Sequence, residues 1–82
     1  MKMTGSQLKA ARALADVGQV ALAAAAGVNV NTIRNMEAAG DAIVRVRLDT
    51  LLRVQEALEA TGVIFLDAGE VKGGGPGVRL AK

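Results

Sequence analysis

Six residues, Leu22-Ala23-Ala24-Ala25-Ala26-Gly27, restrict this chain more than any other stretch. Alanine is the best helix former, so the run has little alternative to a helix. A glycine directly behind it suits the left-handed conformation in which helices commonly end. The run therefore closes a short helix of about 19–26. Its small side chains let a neighbouring helix approach closely. Val20, Leu22, Ala23 and Ala26 are the candidates to pack inward, and Val28 is expected to be buried in the turn that follows.

The chemistry changes after Gly27. Asn29, Asn31, Thr32, Arg34 and Asn35 crowd into a few positions, and such side chains are poor core formers. Asn29 is a good N-cap. A third helix is expected at about 30–38, with Ile33 and Met36 inward and Val30, Asn31, Arg34 and Asn35 outward. Upstream, Thr4 and Gln7 match a capping box. Leu8, Ala11, Leu14 and Ala15 recur at helical spacing, so a first helix is expected at about 5–15. Downstream, Gly40 opens a loop through about Val46. Leu48, Leu51, Leu52, Val54 and Leu58 then form the apolar face of a fourth helix, about 48–60. VIFL at 63–66 and VRLA at 78–81 read as short extended runs across a glycine-rich connection. They predict either a hairpin or strands that pair between subunits, because a lone hairpin is marginally stable.

Composition narrows the function classes. A chain of 82 residues is one small domain with a limited core. It has no cysteine and no histidine. That removes disulfides and the common zinc sites and leaves self-association as the natural supplement. Absence of cysteine fits a reducing cytoplasm. No apolar run approaches the ~20 residues that span a bilayer, and MKMTGSQLKAARALA lacks the pattern of a signal peptide. A net charge of +2 does not by itself announce a nucleic-acid binder. Single-stranded nucleic acid is disfavoured, since Phe65 is the one aromatic residue. Asp49, Glu56, Glu59 and Glu70 form no convincing acid–base pair, and GGGPG lacks the Lys-Ser/Thr ending of a phosphate loop. No catalytic site, metal, cofactor or small-molecule ligand is expected.

Two short helices joined by A-G-V, the second opening with polar residues, make a helix-turn-helix pattern. QVALAAAAGVNVNTIRNME resembles the phage-repressor type of this motif, the Cro or XRE family, whose pattern runs Q-x-x-L-A-x-x-A-G-V-S/T-x-x-T-I-x-x-L/M-E. Gln19, Leu22, Ala23, Ala26, Gly27, Val28, Asn29, Thr32, Ile33, Met36 and Glu37 carry the resemblance. TGSQLKAARALA before it, and LDTLLRVQEALEATGVIFL with GGGPGVRL after it, extend the likeness to nearly the whole chain. The resemblance implies a mainly α, four-helix, lambda-repressor-like domain over 1–62. Segment 63–82 would be an extended dimerisation element. The implied function is a cytoplasmic transcription regulator, a homodimeric repressor that binds a double-stranded DNA operator at paired half-sites, with autoregulation open.

The resemblance also implies roles for single residues. Gln19 is the expected clamp on the DNA backbone. Val30, Asn31 and Asn35 stand at positions that commonly face base edges, and Thr32 at a phosphate contact. Arg34 suits either purpose. Arg45 and Arg47 suit backbone or minor-groove contacts. Arg12 and Glu37 match the family's internal ion pair. Asn29 is foremost a cap and secondarily a base contact. Plainer roles stand beside these: a solvated face for Asn31 and Asn35, a carboxylate partner for Arg34, and a bond from Thr32 to its own helix. Gly18 replaces the usual hydroxyl residue, and the outer face of the second helix is nearly all alanine. A different class also stays open, a protein-binding antiactivator or antitoxin module of the same fold.

Overall fold

The computed structural model describes residues 2–67 and 75–81. Four helices run in chain order: α1 Gly5–Ala15, α2 Gln19–Ala26, α3 Val30–Ala38 and α4 Leu48–Glu59. Two strands follow, β1 Val63–Leu66 and β2 Gly77–Leu80, paired antiparallel with Val63 opposite Leu80 and Leu66 opposite Gly77. The strands therefore pair within one chain. Glu70 and the first glycines of GGGPG lie outside the described residues.

Each helix starts and stops for a local reason. Thr4 caps α1: its side chain accepts the Gln7 N–H at 3.0 Å while Gln7 Oε1 accepts the Thr4 N–H at 2.9 Å. The other N–H groups of that first turn reach the loop after α3, with Ser6 donating to the Gly40 carbonyl at 2.8 Å. Gly27 ends α2 at φ 69°, a conformation that costs a residue with a Cβ steric strain. Asn29 caps α3 by accepting the Asn31 N–H at 2.8 Å.

The core gathers one stripe from every helix. Leu8, Leu22, Ile33, Met36, Val54 and Leu58 are buried together with Met3, Val44 and Val63. Register places Val63, Phe65 and Val78 on one face of the hairpin, and all three pack on this core. Gln7 pins that hairpin down. Its Nε2 donates to the Leu66 carbonyl at 3.0 Å and the Gly77 carbonyl at 3.1 Å, so one buried amide closes the cap of α1 and holds both strands.

Several side chains depart from expectation. Val20 is 66% exposed and does not pack inward as predicted, and Leu14, one of the apolar residues at helical spacing in α1, is 40% exposed. Leu48 is 61% and Leu52 38% exposed, which narrows the buried stripe of α4 to Leu51, Val54 and Leu58. Val28 is only half-buried. Val30, expected on the outer face of α3, is half-buried and packs against the core. The exposed residues share a cause. A helix in so small a domain meets neighbours over a narrow arc, and apolar residues outside that arc stay wet.

Gly5 sits where α1 meets the end of α3. A Cβ there would lie 2.6 Å from the Met36 carbonyl oxygen and 2.7 Å from both the Glu37 oxygen and the Gly40 nitrogen. These are backbone atoms and cannot rotate away. Gly5→Ala is expected to destabilise the fold by ~1–3 kcal/mol or more through overpacking. Urea unfolding followed by circular dichroism tests this; a midpoint unchanged from wild type would show that the two helices separate at little cost.

Candidate nucleic-acid interface

The polar surface of α3 is braced from behind. Ile33 and Met36 are buried, while Asn31, Arg34 and Asn35 are exposed along the opposite side. Spacing explains the division, since positions three and four apart share a helix face. Helix α2 packs directly on α3 across the short turn at 27–29.

A charged cluster locks the far end. Arg12 Nη2 donates to Glu37 Oε1 at 2.9 Å, and Arg12 Nε donates to Oε2, making a bidentate pair. Only 17% of the Arg12 side chain and 8% of the Glu37 side chain remain exposed. Arg12 Nη1 also donates to the Val17 carbonyl at 3.0 Å, and Gln19 Nε2 donates to Glu37 Oε1 at 3.2 Å. One carboxylate thus ties together α1, the α1–α2 turn, the start of α2 and the end of α3. Residue types expected to pair do so, and the participation of Gln19 was not visible from spacing.

The electrostatics follow from this geometry. Burial pushes the Glu37 carboxyl up, but the Arg12 hydrogen bonds and charge, the Gln19 amide and the Lys9 charge outweigh it, and its pKa ends below the ordinary 4.5. The Glu37 hydrogen bond raises the Arg12 pKa against the opposing effect of burial.

The remaining site residues surround this frame. Helix α2 has no side-chain cap, because Gly18 has no side chain to offer. Arg34 Nη1 donates to Asn31 Oδ1 at 3.2 Å, so its partner is an amide and not a carboxylate. Thr32 is half-buried, its main-chain N–H bonded to the Asn29 carbonyl at 2.9 Å. Arg45 and Arg47 are exposed, alternating with the buried Val44 and half-buried Val46. Arg47 also meets Asp49 at 3.2 Å in an exposed pair, an interaction of small energetic weight. Arg45 and Arg47 belong to the loop before α4, outside the helix that carries Asn31, Arg34 and Asn35. Among the described residues no cluster of acidic side chains has the makings of a metal site, and no helix is long and apolar enough to cross a membrane. No family model matches the chain, and no curated protein matches it significantly.

The Glu37 cluster has a pH signature. A carboxylate whose folded pKa is depressed contributes stability that is full above its unfolded value, here 4.5, and is lost as pH falls through the lower folded value. Wild-type stability is expected to fall more steeply below pH 4.5 than that of Glu37→Gln, which lacks this ionisation. Urea midpoints across that range give the comparison, and parallel curves would mean that Glu37 ionises alike folded and unfolded.

Proposed function

We propose that this chain is a sequence-specific, double-stranded-DNA-binding transcription regulator of the XRE type. In this reading α2, the turn at 27–29 and α3 form a helix-turn-helix, and α3 is the recognition helix that enters the major groove. One observation carries the proposal: an exposed row of hydrogen-bonding side chains, Asn31, Arg34 and Asn35, stands on a helix whose other face and far end are held rigidly. Precise placement of a few polar groups is what reading of base edges requires.

The other residues take supporting parts. Gln19 and the uncapped start of α2 suit a phosphate, since free N–H groups and the helix dipole both favour an anion. Thr32, Arg45 and Arg47 supply further backbone contacts. Such contacts position the protein and give binding its salt dependence, while the α3 side chains supply selectivity. Val30 contributes less than its position suggests, because part of its surface belongs to the core. A homodimeric repressor fits best. Leu48 and Leu52 on α4 and Leu80 on β2 are apolar surface available to a second copy. A two-fold pair would set its recognition helices ~34 Å apart, one turn of duplex.

A protein-binding role, as antiactivator or antitoxin, draws on one feature. The outer side of α2 presents Val20 among exposed Ala21, Ala24 and Ala25, an apolar strip rather than a phosphate-binding one. Binding-site selection from random duplex DNA separates the two, because only the regulator enriches a motif. At the enriched site, Asn31→Ala or Asn35→Ala is expected to cost ~1–3 kcal/mol at the cognate base pair, measured by fluorescence anisotropy. Affinity and base preference unchanged in both variants would count against the assignment. Sedimentation at micromolar concentration is expected to show a dimer on the selected duplex, and a monomer with and without DNA would remove the paired-site reading.

A further inference from the structure

The amides at the start of α3 are not free to turn either way. Asn29 Oδ1 accepts the main-chain N–H of Asn31 at 2.8 Å, and Asn31 Oδ1 accepts Arg34 Nη1 at 3.2 Å. Both of those partners are donors only, since neither a main-chain N–H nor a guanidinium has a lone pair to offer. Chemistry therefore dictates the orientation of each amide: oxygen toward the protein group, NH2 toward solvent. Residues 29, 31 and 34 are all exposed. The leading end of α3 thus presents the NH2 groups of Asn29 and Asn31 and the remaining N–H groups of Arg34. It is a donor surface whose amide oxygens are already engaged. One turn further on, no protein group among the described residues holds the Asn35 amide, which keeps both donor and acceptor.

Base edges in the major groove differ in what they can give such a surface. Guanine offers two acceptors, N7 and O6. Adenine offers one acceptor beside a donor, cytosine a donor, and thymine one acceptor beside a methyl group. A pair weighted so far toward donors is satisfied fully by guanine. Adenine N6–H and cytosine N4–H would face it donor to donor. Resting on the DNA-binding reading above, we infer that Asn31 and Arg34 act as one specificity unit that selects guanine, with Asn35 left as the residue suited to adenine. An isolated asparagine favours adenine through its paired donor and acceptor. Here Arg34 occupies one lone pair of that acceptor and sets its own donors beside the Asn31 NH2, which tips the preference to guanine. Holding the guanidinium against Asn31 also orders a flexible side chain before it meets DNA, which lowers the entropic cost of contact.

Site selection from random duplexes at low ionic strength tests the inference, with wild type, Arg34→Ala, Asn31→Ala and the double variant run in parallel. Both substitutions lie on the exposed surface, and circular dichroism checks that the three variants are folded. Wild type is expected to enrich guanine at one position of the site. Arg34→Ala is expected to exchange guanine for adenine at that position alone, because the freed Asn31 amide again offers donor and acceptor, and Asn31→Ala to weaken the guanine preference at the same position. The double variant should show no preference there, so that the effect of either substitution depends on the other, as coupled residues do. Replacing that guanine by 7-deazaguanine, which lacks the N7 acceptor, is expected to lower wild-type affinity roughly tenfold and to leave Arg34→Ala unaffected. Adenine or cytosine selected by wild type at the Asn31-sensitive position, or independent losses at separate positions, would overturn the donor-unit inference while the DNA-binding assignment stands. Failure of folded wild type to enrich any duplex would remove both.

Discussion

Glu37 is the constraint on which the arrangement of helices depends. Its carboxylate receives Arg12 from α1 and Gln19 from α2, while Arg12 also holds the Val17 carbonyl in the turn between them. A largely buried ion pair of this kind adds little net stability, because desolvation of both charges offsets most of their attraction. Its value is geometric. The bidentate fork accepts few alternative angles, so the end of α3 has one place to be. The exposed amide row inherits that precision, which the proposed reading of base edges would require.

A second anchor works at the opposite end of α1. Gly5 allows its backbone to lie against that of residues 36–40, and Gln7 fastens the hairpin to the same first turn. Met3 and Thr4 extend the contact, the carbonyl oxygen of the first accepting the Val44 N–H at 2.7 Å and the second bridging to Ile43. Consecutive residues 3–7 thus touch the loop after α3, the end of α3 and both strands. A two-stranded sheet has little stability alone. Here it survives because one face rests on the common core and a buried amide satisfies two of its carbonyls.

Local features were readable along the chain. The Thr4–Gln7 capping box, the Gly27 exit, the Asn29 cap and the four helix spans depend on neighbours within a few positions, and each appears where the pattern puts it. Ile33 and Met36 fall inward and Asn31, Arg34 and Asn35 outward, since helical periodicity alone settles that. Apolar periodicity was less reliable at the margins. Val20, Leu48 and Leu52 follow the pattern yet lie exposed, and Val30 turns partly inward. A hydrophobic pattern says which residues prefer burial. It does not say how wide an arc the neighbouring elements will cover.

The amino-acid sequence by itself determined where helices begin and end, that no disulfide can form within the chain, and that one short helix would carry an amide-rich outer face. These follow from backbone propensity and side-chain chemistry, which act over a few residues. Tertiary structure alone decided that Gln7 would hold a hairpin some sixty residues away, that Gly5 would be a contact point and not merely a helix start, and that Gln19 would join Arg12 on Glu37. It also decided that Arg34 would turn to Asn31 and claim its oxygen. Those outcomes rest on which atoms meet once distant segments pack and on which rotamers the packed surface leaves open, neither of which is encoded at any single position.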